Sequence, residues 1–244
     1  DAQESRGLGD VYKRQLLSAL SGHLVWSGHL YTAMPSVGIG VFLGGIQRVV
    51  IGASVFSLAA GTEVPGTLPL PATDTFFYLY AYDNAGTLGL NVSTDGPEAT
   101  QTWKTGAEGT HRYLGCFRTD SSGDPLPFEA VGGHYRYRNA PASRRPLNAG
   151  TSTSGTAIDC SPYTPAHARM LHLGLTFVAS GANGSAAVIR TSGEGGGDFL
   201  EIRDGQAYSK DSFITCDSSR SVQYSVSSAS VNLTAYVHGW RERA

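Results

Sequence analysis

Reactive and charged residues are scarce in this chain. Of its 244 residues, three are cysteines, and 18 Lys and Arg stand against 20 Asp and Glu. Three cysteines are too few, and odd in number, for a disulfide framework. No C-x-x-C or Cys/His pair has metal-ligand spacing, so no metal site and no cofactor are expected. A net charge of −2 leaves no basic stripe, which excludes a nucleic-acid groove. Arg144-Arg145 and Arg241-Glu242-Arg243 are too small for one and read as solvated linker and tail charges. Long apolar runs are missing too. Val37–Leu58 is the most apolar stretch, but Gln47-Arg48 interrupts it and five glycines punctuate it, whereas a spanning helix wants about twenty uninterrupted apolar residues. Gly52-Ala53-Ser54 lacks the G-x-S-x-G of a nucleophile elbow. Ser192–Asp198 (SGEGGGD) lacks the G-K-[ST] ending of a phosphate loop and reads as a flexible hairpin tip.

What the chain does have is a two-residue apolar rhythm, the period of a β-strand. Phe76, Tyr78, Tyr80 and Tyr82 fall on one face of a strand, and Phe77, Leu79 and Ala81 on the other. With both faces apolar, this strand is expected to be central. Asp83-Asn84-Ala85-Gly86 supplies turn chemistry, and Leu88, Leu90 and Val92 resume the alternation, so a hairpin with a four-residue loop is expected. A polar arm, Ser93–Thr110, leads to a strand at His111–Arg118. Thr119–Pro125 reads as a loop, and Leu126–Phe128 opens another strand.

Residues 1–15 stand apart. Ser5–Gln15 (SRGLGDVYKRQ) reads as the translation of a transposase-type adapter from sequencing-library preparation. On that reading residues 1–15 are a disordered artefact, the chain is a metagenomic fragment, and its native N-terminus lies upstream. The N-terminal β module is placed at residues 16–138. Within it, strands are expected at Ile39–Leu43, Arg48–Ile51, Ser54–Leu58 and His134–Arg138, the last closing the module, and Gly61–Ala72 as a loop. Asn139–Thr156 (NAPASRRPLNAGTSTSGT) has linker composition. The C-terminal module, 157–244, shows short strands around Leu171–Phe177, Ala186–Arg190, Phe199–Arg203, Phe213–Cys216, Val222–Val226 and Val231–Trp240. The chain is therefore expected to be all-β, in two modules, the second a sandwich or jelly-roll-like fold. Cys116 falls in a strand's apolar rhythm and reads as a buried small hydrophobe. Cys160 and Cys216 share the second module and are candidates for one disulfide, which spacing alone does not decide.

Tyr80–Gly86, Leu90–Pro97 and His111–Phe128 together form the pattern YAYDNAG, LNVSTDGP and HRYLGCFRTDSSGDPLPF. This pattern resembles a module recurrent in tail-fibre and spike-like structural proteins of bacterial viruses and prophages. The resemblance covers the middle third of the chain, with the C-terminal module similar in general pattern. It implies a virion component that displays rigid β modules, commonly as a homotrimer beside other virion proteins, and touches host glycan or protein through its loops. The matching residues are scaffold residues, so no catalytic residue follows from it.

A glycosidase needs two facing carboxylates, but Asp83, Asp95, Asp120, Asp124, Asp204, Asp211 and Asp217 all sit where Asx-turn duty would explain them. His23 and His29 have no acidic or thiol neighbour, and His111, His134, His167, His172 and His238 are scattered along the chain. Trp26, Trp103 and Trp240 could stack on sugars, although packing is the default role of such rings. The expectation is thus a non-enzymatic attachment protein located in the virion, with no membrane or nucleic-acid partner. The alternative is a bacterial secreted carbohydrate-binding or adhesive module.

Overall fold

A computed structural model of the protein describes residues 39–42, 47–58, 63–66, 72–99, 101–123, 125–126, 128–131, 133–138, 144–179, 185–191, 198–202 and 207–242. Among these the chain is all-β: seventeen strands, one 3-10 turn at Ser161–Tyr163 and no α-helix. The expectations for residues 1–15, Trp26, His23 and His29, and the tip 192–197, lie outside the described residues. The chain divides into two compact units.

The first unit holds β1 (Ile39–Phe42) to β7 (His111–Arg118). β1 pairs with β4 (Glu63–Gly66), and β2 (Gln47–Ile51) pairs with β3 (Ser54–Leu58). The third sheet has the order β6-β5-β7, from β5 (Phe76–Asn84) and β6 (Thr87–Ser93). β5 is central, as its two apolar faces predict, and Phe77 to Ala81 are all buried. Phe77 stacks on Phe117 at 5.6 Å, and Tyr80 and Tyr78 lean on Tyr113. The Tyr80 hydroxyl is kept from being a buried orphan by donating to the Asp95 carbonyl at 2.7 Å.

Two expectations here are corrected. The β5–β6 loop has two residues, not four, because Asn84 pairs with Thr87 and only Ala85-Gly86 turn. Both have positive φ, 51° and 85°, the geometry of a type I′ turn whose twist matches the strands. Asp83 holds it by accepting the Gly86 N–H at 2.7 Å. The stretch Gly61–Ala72, read as a loop, contains β4, whose Pro65 is tolerated in this two-stranded ribbon.

The second unit contains two sheets. One has the order β15-β12-β17-β9-β8, with β10 also on β17; the other runs β11-β16-β13-β14. The members of the first are β8 (Phe128–Val131), β9 (His134–Tyr137), β10 (Leu147–Gly150), β12 (Met170–Ala179), β15 (Ala207–Thr215) and β17 (Val231–Arg241). Those of the second are β11 (Thr156–Asp159), β13 (Ser185–Thr191), β14 (Asp198–Ile202) and β16 (Ser221–Val226). Leu171, Leu173, Leu175 and Phe177 of β12, with Val231, Leu233, Ala235 and Val237 of β17, form one buried face. Ile158, Ala187, Ile189, Val222, Tyr224 and Val226 form the buried side of the other sheet.

Three boundaries differ from the sequence expectation. His134–Tyr137 does not close the first module; it pairs with β17 through Tyr135–Trp240. Leu147–Gly150, inside the expected 139–156 linker, is β10 on β17. Thr156–Asp159 pairs with β16. A polar, glycine-rich edge strand has the same composition as a linker, and only its partner's backbone distinguishes them. None of Cys116, Cys160 and Cys216 is in a disulfide, so the candidate Cys160–Cys216 bond is not formed.

Candidate functional site

On β12, the residues that alternate with the buried leucines are His172, Gly174, Thr176 and Val178. They belong to the sheet's second face, on which β15 and β17 set their own polar residues. β15 pairs Phe213 with His172 and Asp211 with Gly174. On β17 the register slips, so that His172 faces Gly239 while Leu173 faces Val237. His238 is the extra residue of that bulge. Bulges re-aim side chains in this way, and here His238 is turned toward Asp211.

The result is an imidazole–carboxylate cluster drawn from three adjacent strands. His238 Nδ1 lies 3.1 Å from Asp211 Oδ1, and His172 Nε2 lies 3.6 Å from Asp211 Oδ2. The two imidazoles meet edge to face with centroids 5.5 Å apart. Gly174 makes this possible, because a Cβ there would run into the His238 ring. The ring of His134, on β9, stands 5.3 Å from that of His172. Phe213 stacks on His172 at 4.4 Å and 16°, covering it. Hence His172 is only 5% exposed although it sits on the outer face, whereas Phe213 itself is 46% exposed.

Burial dominates the electrostatics. It pushes His172 down to about 4, against the opposing pull of Asp211 and with help from His134, His238 and Arg136. Burial also lowers His134, aided by Arg241 and Arg136. Both rings are therefore neutral at pH 7, each with one nitrogen lone pair available. His172 Nδ1 and His134 Nε2 are buried without a hydrogen-bond partner among the described residues.

The other candidates resolve differently. Trp240 is fully buried, stacked on Tyr135 at 4.8 Å, so it offers no face to a sugar. Trp103 is half-buried, with the Arg112 guanidinium 5.7 Å from its ring centre. His167 is in a buried pair with Glu242, 2.9 Å apart, and His111 stacks on Tyr82 at 5.3 Å. Asp83, Asp120 and Asp217 do hold turns, accepting from the Gly86, Ser122 and Ser221 N–H groups respectively; at Asp95 the Ser93 hydroxyl is the cap, accepting the Asp95 N–H at 3.1 Å. Asp211 holds no turn: it lies within β15, because that strand begins well before the expected Phe213. Asp124 and Asp204 lie outside the described residues.

Three signals for this cluster were present in the sequence. His134, His172 and His238 each occupy the polar phase of an alternating strand. Which strands adjoin, and the slip that re-aims His238, could not be read from one chain. Fold and site together define an all-β chain with a histidine-rich patch on the outer face of its larger sheet. No family model matches the chain, and no curated protein matches it.

Proposed function

We propose that the chain is a non-catalytic structural and receptor-binding component of a bacterial-virus tail or capsid fibre. In this reading it sits in the virion as a homotrimer, beside other virion proteins, and contacts host glycan or protein through its outer surfaces. The observation that supports it is what the tail-fibre-like motif residues do. Tyr80 ties β5 to the arm through Asp95, and Asp83 fixes the hairpin turn. Asp83 also accepts from Ser54 at 2.7 Å, Arg118 binds Asp74 at 2.8 Å, and Asp120 caps Ser122. Each fixes a turn or ties one stretch of chain to another, the work of a scaffold. The two sheets of the second unit are read as a sandwich on which such surfaces are displayed.

The exposed Phe213 ring favours a second reading, a bacterial secreted carbohydrate-binding or adhesive module, because an open aromatic face is what sugars stack on. Gene neighbourhood separates the two: capsid, portal or tail genes beside the source gene support the first, secretion genes the second. Light scattering on the full chain tests the oligomer, where a monomer argues against the trimer. A glycan array on the same chain tests attachment. Silence on the array together with no binding to host cells would leave only a scaffold role.

A further inference from the structure

We propose that His172, Asp211 and His238 form a binding site for a divalent transition-metal ion of the Zn²⁺, Co²⁺ or Ni²⁺ class. Imidazole and carboxylate are the donors such borderline ions take. With metal–ligand bonds of about 2.0–2.2 Å, two donors of a tetrahedral ion stand about 3.3–3.5 Å apart. His238 Nδ1 stands 3.1 Å from Asp211 Oδ1 and His172 Nε2 stands 3.6 Å from Asp211 Oδ2, so each imidazole is about one such edge from the carboxylate. All three donor atoms lie within 4.8 Å of one another, so closing the last side needs a small ring rotation.

Three further features point to the same use. The donors come from three neighbouring strands of one sheet, a rigid base that fixes their spacing. The bulge at His238 and the missing Cβ at Gly174 both act to bring the His238 ring over the sheet. The third is an unmade contact inside the cluster: His172 Nε2 stands 3.6 Å from Asp211 Oδ2, longer than a hydrogen bond, and a cation shared by the carboxylate and two imidazole nitrogens would fill that gap. His238 and Asp211 keep 24% and 53% of their side-chain surface open, so an ion can enter from solvent. Three protein donors leave a position open to water or to a donor atom of an attached partner. The competing account is a plain His238–Asp211 pair, with no ion, beside a buried His172.

The test uses the full chain without a histidine tag, titrated with Co²⁺ and followed by its visible ligand-field absorption, with Zn²⁺ as competitor. The expected result is one ion per chain, with a dissociation constant in the micromolar range or tighter, displaced by Zn²⁺. His238→Gln and Asp211→Asn, both at open positions, should each weaken binding at least tenfold. Gly174→Ala should do the same by displacing the His238 ring, while leaving the far-UV spectrum of the fold in place. His111→Ala, on the first unit, should change nothing. The inference is overturned if the parent chain shows no ligand-field spectrum, the plain-pair outcome. It is equally overturned if both His238→Gln and Asp211→Asn bind as the parent does, which would put the ion elsewhere.

Discussion

Replacing Trp240 by alanine and by phenylalanine should give two very different proteins. Trp240 is fully buried on β17. It stacks on Tyr135 and takes Phe76 and Tyr137 edge-on at 5.7 and 5.4 Å. A Trp→Ala change in such a core costs about 3–5 kcal/mol, and three lost ring contacts at roughly 0.5–1.5 kcal/mol each place it toward the upper end. Trp240→Phe keeps a ring in the same stack. It opens a cavity of roughly 40 Å³, about 1 kcal/mol at ~24 cal/mol per Å³. Against that, Trp240 Nε1 is buried with no hydrogen-bond partner among the described residues. Removing an unpaired buried donor recovers about 1–3 kcal/mol. The phenylalanine variant should therefore match the parent or exceed it by up to about 2 kcal/mol. In urea, with a slope of about 2 kcal/mol per M, the alanine variant's midpoint falls by roughly 2 M, whereas the phenylalanine variant's holds or rises by up to about 1 M. Equal losses in the two variants would refute the unpaired-donor argument. A loss below about 1 kcal/mol for alanine would refute the packing itself.

Other changes read other parts of the fold. Ala85 carries φ 51° in the β5–β6 turn, so Ala85→Gly should stabilise the protein by about 1 kcal/mol, seen as a raised urea midpoint. Gly239 has no room for a Cβ against the Tyr135 carbonyl, which is backbone and cannot swing aside; Gly239→Ala should cost about 1–3 kcal/mol or more and lower the melting temperature. Burial pushes the Cys160 thiol up to about 12, with Asp159 and Cys216 adding to it. A thiol reagent at pH 8 should thus label Cys160 only as the protein unfolds, whereas labelling of the native chain at the rate of a free thiol would contradict its burial. The Ser54 hydroxyl, then the Gly86 N–H, hold Asp83 below its ordinary 3.8. Because the folded value is the lower one, the stability Asp83 contributes is present above 3.8 and fades as pH falls through the folded value. Carbon NMR of its carboxyl should show that low titration, and Ser54→Ala should move it back up.

How far the sequence carried depended on what kind of information each feature needs. β5, β7, β12 and β17 were legible because their alternation is local: Leu171, Leu173, Leu175 and Phe177 mark one face whatever they pair with. The all-β class followed from them. Pairing is not local. β9 shows a clear alternation of Tyr135 and Tyr137, yet nothing in HYRY says that its partner is Trp240, about a hundred residues later. β10 and β11 were hidden because Gly, Ser and Thr serve linkers and polar edges equally well. The β5–β6 turn is two residues shorter than its sequence suggests, because Asp83 and Asn84, both good turn formers, finish the ladder in the fold and Asp83 caps the turn from its flank. Of the site, the polar phase of each histidine was visible, but not their meeting.

That meeting and the aromatic core have a common origin in one inserted residue. Along β17 the buried positions are Val231, Leu233, Ala235 and Val237; continued without a slip, the next would be Gly239, and Trp240 would point outward. His238 and Gly239 together oppose His172, and the phase resets. Trp240 then turns inward onto Tyr135, and His238 is left on the outer face beside Asp211. Deleting His238 would leave Val237, Gly239 and Trp240 in strict alternation, removing the bulge and its imidazole with the indole still inward. Straightening β17 with His238 kept would instead turn the indole toward solvent and Arg241 toward the core, so with His238 present the core requires the bulge. A bulge that also builds the core is held in place by the full burial energy of Trp240, about 3–5 kcal/mol on the reasoning above. The cluster on the outer face consequently rests on backbone geometry that the fold itself enforces, and its spacing does not need the metal to exist.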